Sequence, residues 1–187
     1  MDNISKYIHE FINKNKDTKS VFDIKLGRSL NEHCFNLNID KLKFYKIIKD
    51  IKKDIQFDNI KYTKFVRYNS SNLQLDCYSN GIQKCSFKKP KDILDLSINK
   101  RDFDLRLICS KLNNLPAHLF TCNTKYHSIS NIESIIFENK NYKIIFNHLI
   151  EESVESYQIN IIYVHQNKNN IDITVNNIEN IVKLLLN

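Results

Sequence analysis

Two glycines and two prolines among 187 residues leave this chain almost without turn breakers. At that content there is no flexible linker of the usual kind. With glycine only at Gly27 and Gly81, neither a P-loop nor a G-x-G-x-x-G turn can be built. Five cysteines (Cys34, Cys77, Cys85, Cys109, Cys122) are odd in number and never form a C-x-x-C pair. That argues against a zinc site and a disulfide framework. Several fall among apolar residues, where a reduced thiol behaves as a small hydrophobe, and a reducing compartment is expected. Lys6, His9 and Glu10 interrupt the first apolar residues, so no signal peptide is read, and no apolar run approaches bilayer length. The expected location is cytoplasmic, or inside a virion. The six histidines (His9, His33, His118, His127, His148, His165) include no H-x-x-x-H or H-E-x-x-H pair. Cys109 beside Ser110 has no local base, and Ser128 and Ser130 flank nothing resembling a triad.

What is present is isoleucine, asparagine and lysine in quantity, the mark of an AT-rich genome such as that of a large DNA virus or a parasite. Hydrophobic residues make up 42% and charged residues 26%, ordinary for a globular protein of one domain, residues 1–187. The formal net charge is +7, from 28 Lys+Arg against 21 Asp+Glu. It permits nucleic acid, a nucleotide or an acidic protein as partner, and equally follows from codon usage.

Periodicity supplies the elements. Ile4, Tyr7, Ile8, Phe11 and Ile12 form one helical stripe within residues 1–18. Val21–Gly27 alternates: Phe22, Ile24 and Leu26 on one face, Val21, Asp23 and Lys25 on the other. Asp40 is positioned as the N-cap of a helix over 40–53, with Leu42, Tyr45, Ile48 and Ile51 or Ile55 along one side and Lys41, Lys43, Lys46, Lys49, Lys52 and Lys53 on the other. That lysine run reads as a solvated face or an anion-binding surface. Strand-like stretches follow near 60–68, 72–78, 81–88, 93–98, 103–112, 121–129, 133–138, 142–149 and 157–165. Turn signals separate several: Asn69-Ser70-Ser71, Ser79-Asn80-Gly81, Lys89-Pro90, Asn99-Lys100 and Asn139-Lys140-Asn141. Glu151, Glu152 and Glu155 read as a solvated loop. Residues 176–187 close the chain as a helix. The expected class is α+β, an antiparallel eight-stranded β-barrel over residues 20–175 with helices at both ends.

Four stretches in order resemble the tunnel-type, metal-dependent RNA triphosphatases, which remove the 5′ γ-phosphate during mRNA capping. Val21-Phe22-Asp23-Ile24-Lys25-Leu26-Gly27 resembles that family's first strand, a Glu-x-Glu pattern ending in Gly. Leu73–Gly81 with Ile82–Ser86 resembles its Arg-bearing strand and Glu-Lys-x-Arg strand. Asp104-Leu105-Arg106 resembles the Asp-Leu-Arg strand, and Ser156–Ile161 the closing Glu-x-Glu strand. Asn123–Ser130 and Asn141–Glu152 fit the intervening strands more loosely.

In the active enzymes, the resemblance implies, glutamates of the first and last strands hold Mn²⁺ or Mg²⁺ against the triphosphate. Here those positions are Val21 and Asp23, then Gln158 and Asn160. Gln74, Gln83 and Ser86 replace an Arg, a Glu and an Arg, and an acidic position after Asp104-Leu105-Arg106 falls near Leu112. A hard cation needs several converging oxygens. With those acids gone, the resemblance implies a degenerate relative with no catalytic residue and no metal. Lys25, Lys84, Arg106, Lys125 and His127 stand at or beside the family's basic positions. They are either a residual anion site or structural partners of Asp23, Asp76 and Asp104. The leading expectation is a tunnel-fold scaffold in a capping or transcription complex, of viral origin, with another protein subunit as partner and RNA or a nucleotide as alternatives. The competing expectations are a divergent Mn²⁺- or Mg²⁺-dependent RNA 5′-triphosphatase or polyphosphatase using Asp23, and a basic RNA-binding protein.

Overall fold

A computed structural model describes residues 2–15, 20–31, 34–70, 73–98, 103–115, 125–140, 142–164, 176 and 180–183. The element order is α1 (Asp2–Lys14), β1 (Ser20–Asn31), β2 (Cys34–Asn36), α2 (Lys41–Asp54), β3 (Asn59–Ser70), β4 (Leu73–Tyr78), β5 (Gln83–Leu96), β6 (Asp104–Leu115), β7 (Ser128–Glu138), β8 (Tyr142–Glu151) and β9 (Val154–Val164). Residues 176 and 180–183 are helical. Parts of the expected N- and C-terminal helices, much of the expected strand over 121–129 and the Asn99-Lys100 turn lie outside the described residues.

All pairings are antiparallel, in the order β2-β1-β6-β5-β4-β3-β7-β8-β9, and β1 pairs β9 as well. The sheet thus curls back on itself. The expected barrel is corrected in two respects: the described residues form nine strands, not eight, and the curl is open. Both have one cause, the shared edge of β1. It pairs β9 only over Val21–Lys25, and over Arg28–Asn31 the same edge takes β2 instead. Gly27 lies where these arrangements meet. A Cβ there would come within 2.2 Å of the Asn36 carbonyl oxygen, so only glycine lets β2 approach.

Other strand limits also moved. Lys89-Pro90 is not a turn but part of one long strand, β5, with a bulge between Pro90 and Asp92 that accommodates the missing N–H. The real turns are tight. Gly81 has φ 81° after β4, and Glu152 and Ser153 have φ 47° and 73° between β8 and β9. Two successive positive φ values match the twist of a two-residue hairpin, so Glu151 and Glu155 belong to strands rather than to a loop.

The apolar faces alternate as period two requires. Phe22, Ile24 and Leu26 of β1, Leu105 and Leu107 of β6, Ile144 and Phe146 of β8, and Ile159 and Ile161 of β9 are all buried on the outside of the curl. There they meet Ile8, Phe11 and Ile12 of α1, Phe44, Ile47, Ile48 and Ile51 of α2, and Ile181 and Val182. Each such side chain contributes about 1.5–3 kcal/mol by leaving water. Cys109 joins this core. The cap at Asp40 forms as expected, its Oδ1 accepting from the Lys43 backbone N–H at 3.0 Å. The face of α2 does not follow the expectation: Leu42 is 82% exposed and Tyr45 49%, while Phe44 and Ile47 are buried. At about 100° per residue, Leu42 points away from the Phe44–Ile47–Ile48–Ile51 stripe.

Candidate functional site

The other face of the same strands lines a cavity of about 390 Å³ inside the curl. Its wall includes Asp23 and Lys25 (β1), Thr63, Phe65, Arg67 and Asn69 (β3), and Gln74, Asp76 and Tyr78 (β4). It continues through Ser130, Ser134 and Ile136 (β7), Ile145, Asn147, Leu149 and Glu151 (β8), and Gln158, Asn160 and Ile162 (β9). Cross-strand register arranges these side chains in rows. One row runs Asp95, Arg106, Lys25, Asn160, Ile145, Ile136. A second runs Ile93, Ile108, Asp23, Ile162. Near the other end, Lys84, Asp76, Arg67 and Ser130 follow one another.

Of the residues singled out from sequence, Asp23, Lys25, Gln158 and Asn160 do line the cavity. Val21 shares their face and is buried. Arg106 is in a cross-strand pair with Lys25, but its guanidinium makes a bidentate contact with Asp95, at 2.7 Å on both arms, and covers the Phe35 ring at 4.7 Å. The Asp95 hydrogen bond, against a smaller opposing effect of burial, raises the Arg106 pKa above its usual value. Lys84 is exposed, opposite Asp76, with its ammonium 5.2 Å above the Tyr78 ring. Lys125 and His127 are exposed in the segment before β7 and do not line the cavity, although the His127 backbone N–H donates to the carbonyl of the wall residue Asn69 at 2.8 Å.

The expected structural partners also differ. Asp76 pairs with Arg67 through two contacts of 2.7 and 2.8 Å. Asp104 instead accepts from Ser29 N–H, Ile98 N–H and the Ser97 hydroxyl, holding the ends of β1 and β5. Arg67 was missed from the sequence. The alternation of Thr63, Phe65, Arg67 and Asn69 carries the signal, since odd positions of β3 share one face.

The carboxylates of this face are engaged separately. Asp95 belongs to Arg106 and Asp76 to Arg67, Glu151 accepts from the Ser130 hydroxyl at 3.0 Å, and Glu138 sits between Lys61 and Lys143. Asp23 is buried here too, at 7% exposure, and the other buried polar groups on this side are neutral, such as the Ser134 hydroxyl donating to Asn147 Oδ1 at 2.6 Å. Asn160 Oδ1 and Thr63 Oγ1 are buried with no hydrogen-bond partner among the described residues. A divalent cation of the hard type needs three or more oxygens converging on one point. Among the described residues no three His, Cys, Asp or Glu side chains do so. Around the first-strand position stand one carboxylate, one valine and two amides, a donor set that does not fit such an ion.

No family model matches the chain, and no curated protein matches it. Solved structures do. The S. pombe Pct1 RNA triphosphatase superposes with a TM-score of 0.76 at 14% identity, covering 98% of this chain and 92% of that one. The same protein in complex with the Spt5 CTD gives 0.75 at 13%, covering 99% and 91%. The Mimivirus capping enzyme triphosphatase gives 0.62 at 10%, covering 100% and 98%. A chain of the Schizosaccharomyces pombe Mediator head module gives 0.50 at 11%, covering 88% and 94%. The chain therefore has the tunnel fold of the RNA triphosphatases over nearly its whole length.

Proposed function

We propose that this chain is a tunnel-fold scaffold that binds a protein subunit of a capping or transcription complex and does not hydrolyse triphosphates. The observation that carries the reading is the neutralisation of the lumen's cations. Arg67 and Arg106 each hold a carboxylate in a two-point contact, so an incoming triphosphate would have to displace Asp76 and Asp95. Of the cations on this face, Lys25 in the cavity wall and the exposed Lys84 contact no carboxylate among the described residues. Aliphatic side chains at Ile136, Ile145, Leu149 and Ile162 occupy wall positions that could otherwise present charge. Phosphoryl transfer needs fixed positive charge where negative charge develops. One ammonium in the cavity wall, with a second exposed at its end, supplies little of it.

The metal-free reading rests on the donor set described above, and the viral, cytoplasmic setting on composition and fold likeness. A protein partner is favoured because one fold neighbour is recorded in complex with the Spt5 CTD and another within the Mediator head module. The test is phosphate release from triphosphate-ended RNA and from ATP with Mn²⁺ or Mg²⁺, at protein concentrations that saturate a working triphosphatase. No turnover is expected. Metal-dependent release abolished by Asp23→Ala would establish the divergent enzyme instead.

A further inference from the structure

The strongest uncommitted charge lies outside the lumen, on α2. Its buried stripe, Phe44, Ile47, Ile48 and Ile51, leaves Leu42, Lys46, Lys49 and Lys53 along the opposite ridge, with Tyr45 and Lys52 on one flank. The helix's two acids, Asp50 and Asp54, fall on the other flank. Lys41 reaches Glu155 at 3.5 Å and Lys43 covers Phe103, so those two are occupied. Lys46, Lys49 and Lys53 contact no carboxylate among the described residues.

Two aromatic rings stand beside this ridge. Tyr62 of β3 is 67% exposed, and Lys52 Nζ donates to its hydroxyl at 3.2 Å, which joins the strand to the helix. Tyr45 leans toward Tyr157 at 6.1 Å and keeps half its surface in water. Flat exposed rings interleaved with lysines match a polyanion that also carries planar groups. A polyglutamate chain would use the charge but has no planar group for the rings.

We propose that the outward face of α2, together with Tyr62, is a binding platform for single-stranded RNA. The helix is about 21 Å long, enough for several nucleotides, with phosphates on Lys46, Lys49, Lys52 and Lys53 and bases on Tyr45 and Tyr62. This platform does not depend on the scaffold reading, since it uses no lumen residue.

The test is fluorescence anisotropy with a 5′-hydroxyl oligouridine. With three or four phosphates neutralised at about 0.7 ions each, affinity should fall about 20- to 50-fold between ~50 and ~200 mM salt. The Lys46→Ala/Lys49→Ala/Lys53→Ala variant should bind at least about tenfold more weakly at low salt and lower the salt slope by about 2. Tyr62→Ala should lose about fivefold or more, and Tyr62→Phe should keep full affinity. The proposal is overturned by absent binding at low salt, by equal affinity in the triple variant, or by tighter binding of polyglutamate than of RNA. A requirement for a 5′-triphosphate together with loss on Lys25→Ala would also overturn it, placing the RNA in the lumen.

Discussion

On its outer face β1 carries Phe22, Ile24 and Leu26, none more than 2% exposed, packed under α1 and α2. On its inner face the same strand carries Val21, Asp23 and Lys25, beside asparagine and isoleucine from β9. The outer face can accept little except apolar groups of fitting volume, because close packing makes voids and stranded polar groups expensive. The inner face needs only that its polar groups find partners, and many residue types meet that condition. This difference explains how a chain 14% identical to an RNA triphosphatase keeps the fold at a TM-score of 0.76.

The sharpest separation of the two faces should come from truncation. Leu105→Ala, at a fully buried outer position, should cost about 2–5 kcal/mol in denaturant unfolding. Asp23→Asn, one strand away on the inner face and close to it in shape, should cost less than about 1 kcal/mol if that face serves no structural metal. Equal losses would erase the comparison.

Within the inner face, the Arg67–Asp76 pair should matter most. Both side chains are under one third exposed, and Asp76→Ala strands a guanidinium, so about 1.5–3 kcal/mol should be lost. Arg67→Met combined with Asp76→Leu should recover most of it, because removing both partners leaves no unpaired charge. Failure of the double variant to recover would show that the pair specifies lumen geometry rather than merely satisfying itself.

A smaller effect is expected from acid. The Lys143 and Lys61 hydrogen bonds hold the Glu138 carboxyl below its ordinary 4.5, and those from Asn15 and Lys14 hold Asp92 below 3.8. Groups depressed in the folded state stabilise it fully above their unfolded values, and that stability is lost as pH falls through the folded ones. Stability should therefore drop as pH is lowered below about 4.5, where the unfolded chain gains protons first. Glu138→Gln should make the loss shallower. An unchanged acid limb would mean that other groups govern it.

How much of this was legible in the residues follows the same division. Alternation in Val21–Gly27 displayed both faces of β1, and the ordered motifs pointed to the tunnel fold. The Asp40 cap was readable because its oxygen acts within three residues. The orientation of α2 was not, because Leu42 and Tyr45 have the chemistry of core residues and only tertiary contact with Phe146 and Tyr157 selects Phe44 instead. The bulge that carries β5 through Pro90 and the double role of the β1 edge are long-range pairings that no local pattern encodes. Asp23 and Lys25 were placed on the polar face by period two, and Gln158 and Asn160 by the resemblance of Ser156–Ile161 to a closing Glu-x-Glu strand. The Asp95 and Arg67 partnerships, which decide its charge, join strands whose register is set by the whole sheet.

The central proposal is that the lumen of this tunnel fold does not assemble a divalent-metal site. Electron paramagnetic resonance of Mn²⁺ titrated into the protein tests it directly, since free aqueous Mn²⁺ gives a six-line signal that diminishes on binding. The account predicts that the free signal grows in proportion to added metal, identically for the wild type and Asp23→Ala. Loss of one equivalent of free Mn²⁺ per chain, restored by Asp23→Ala, would contradict it.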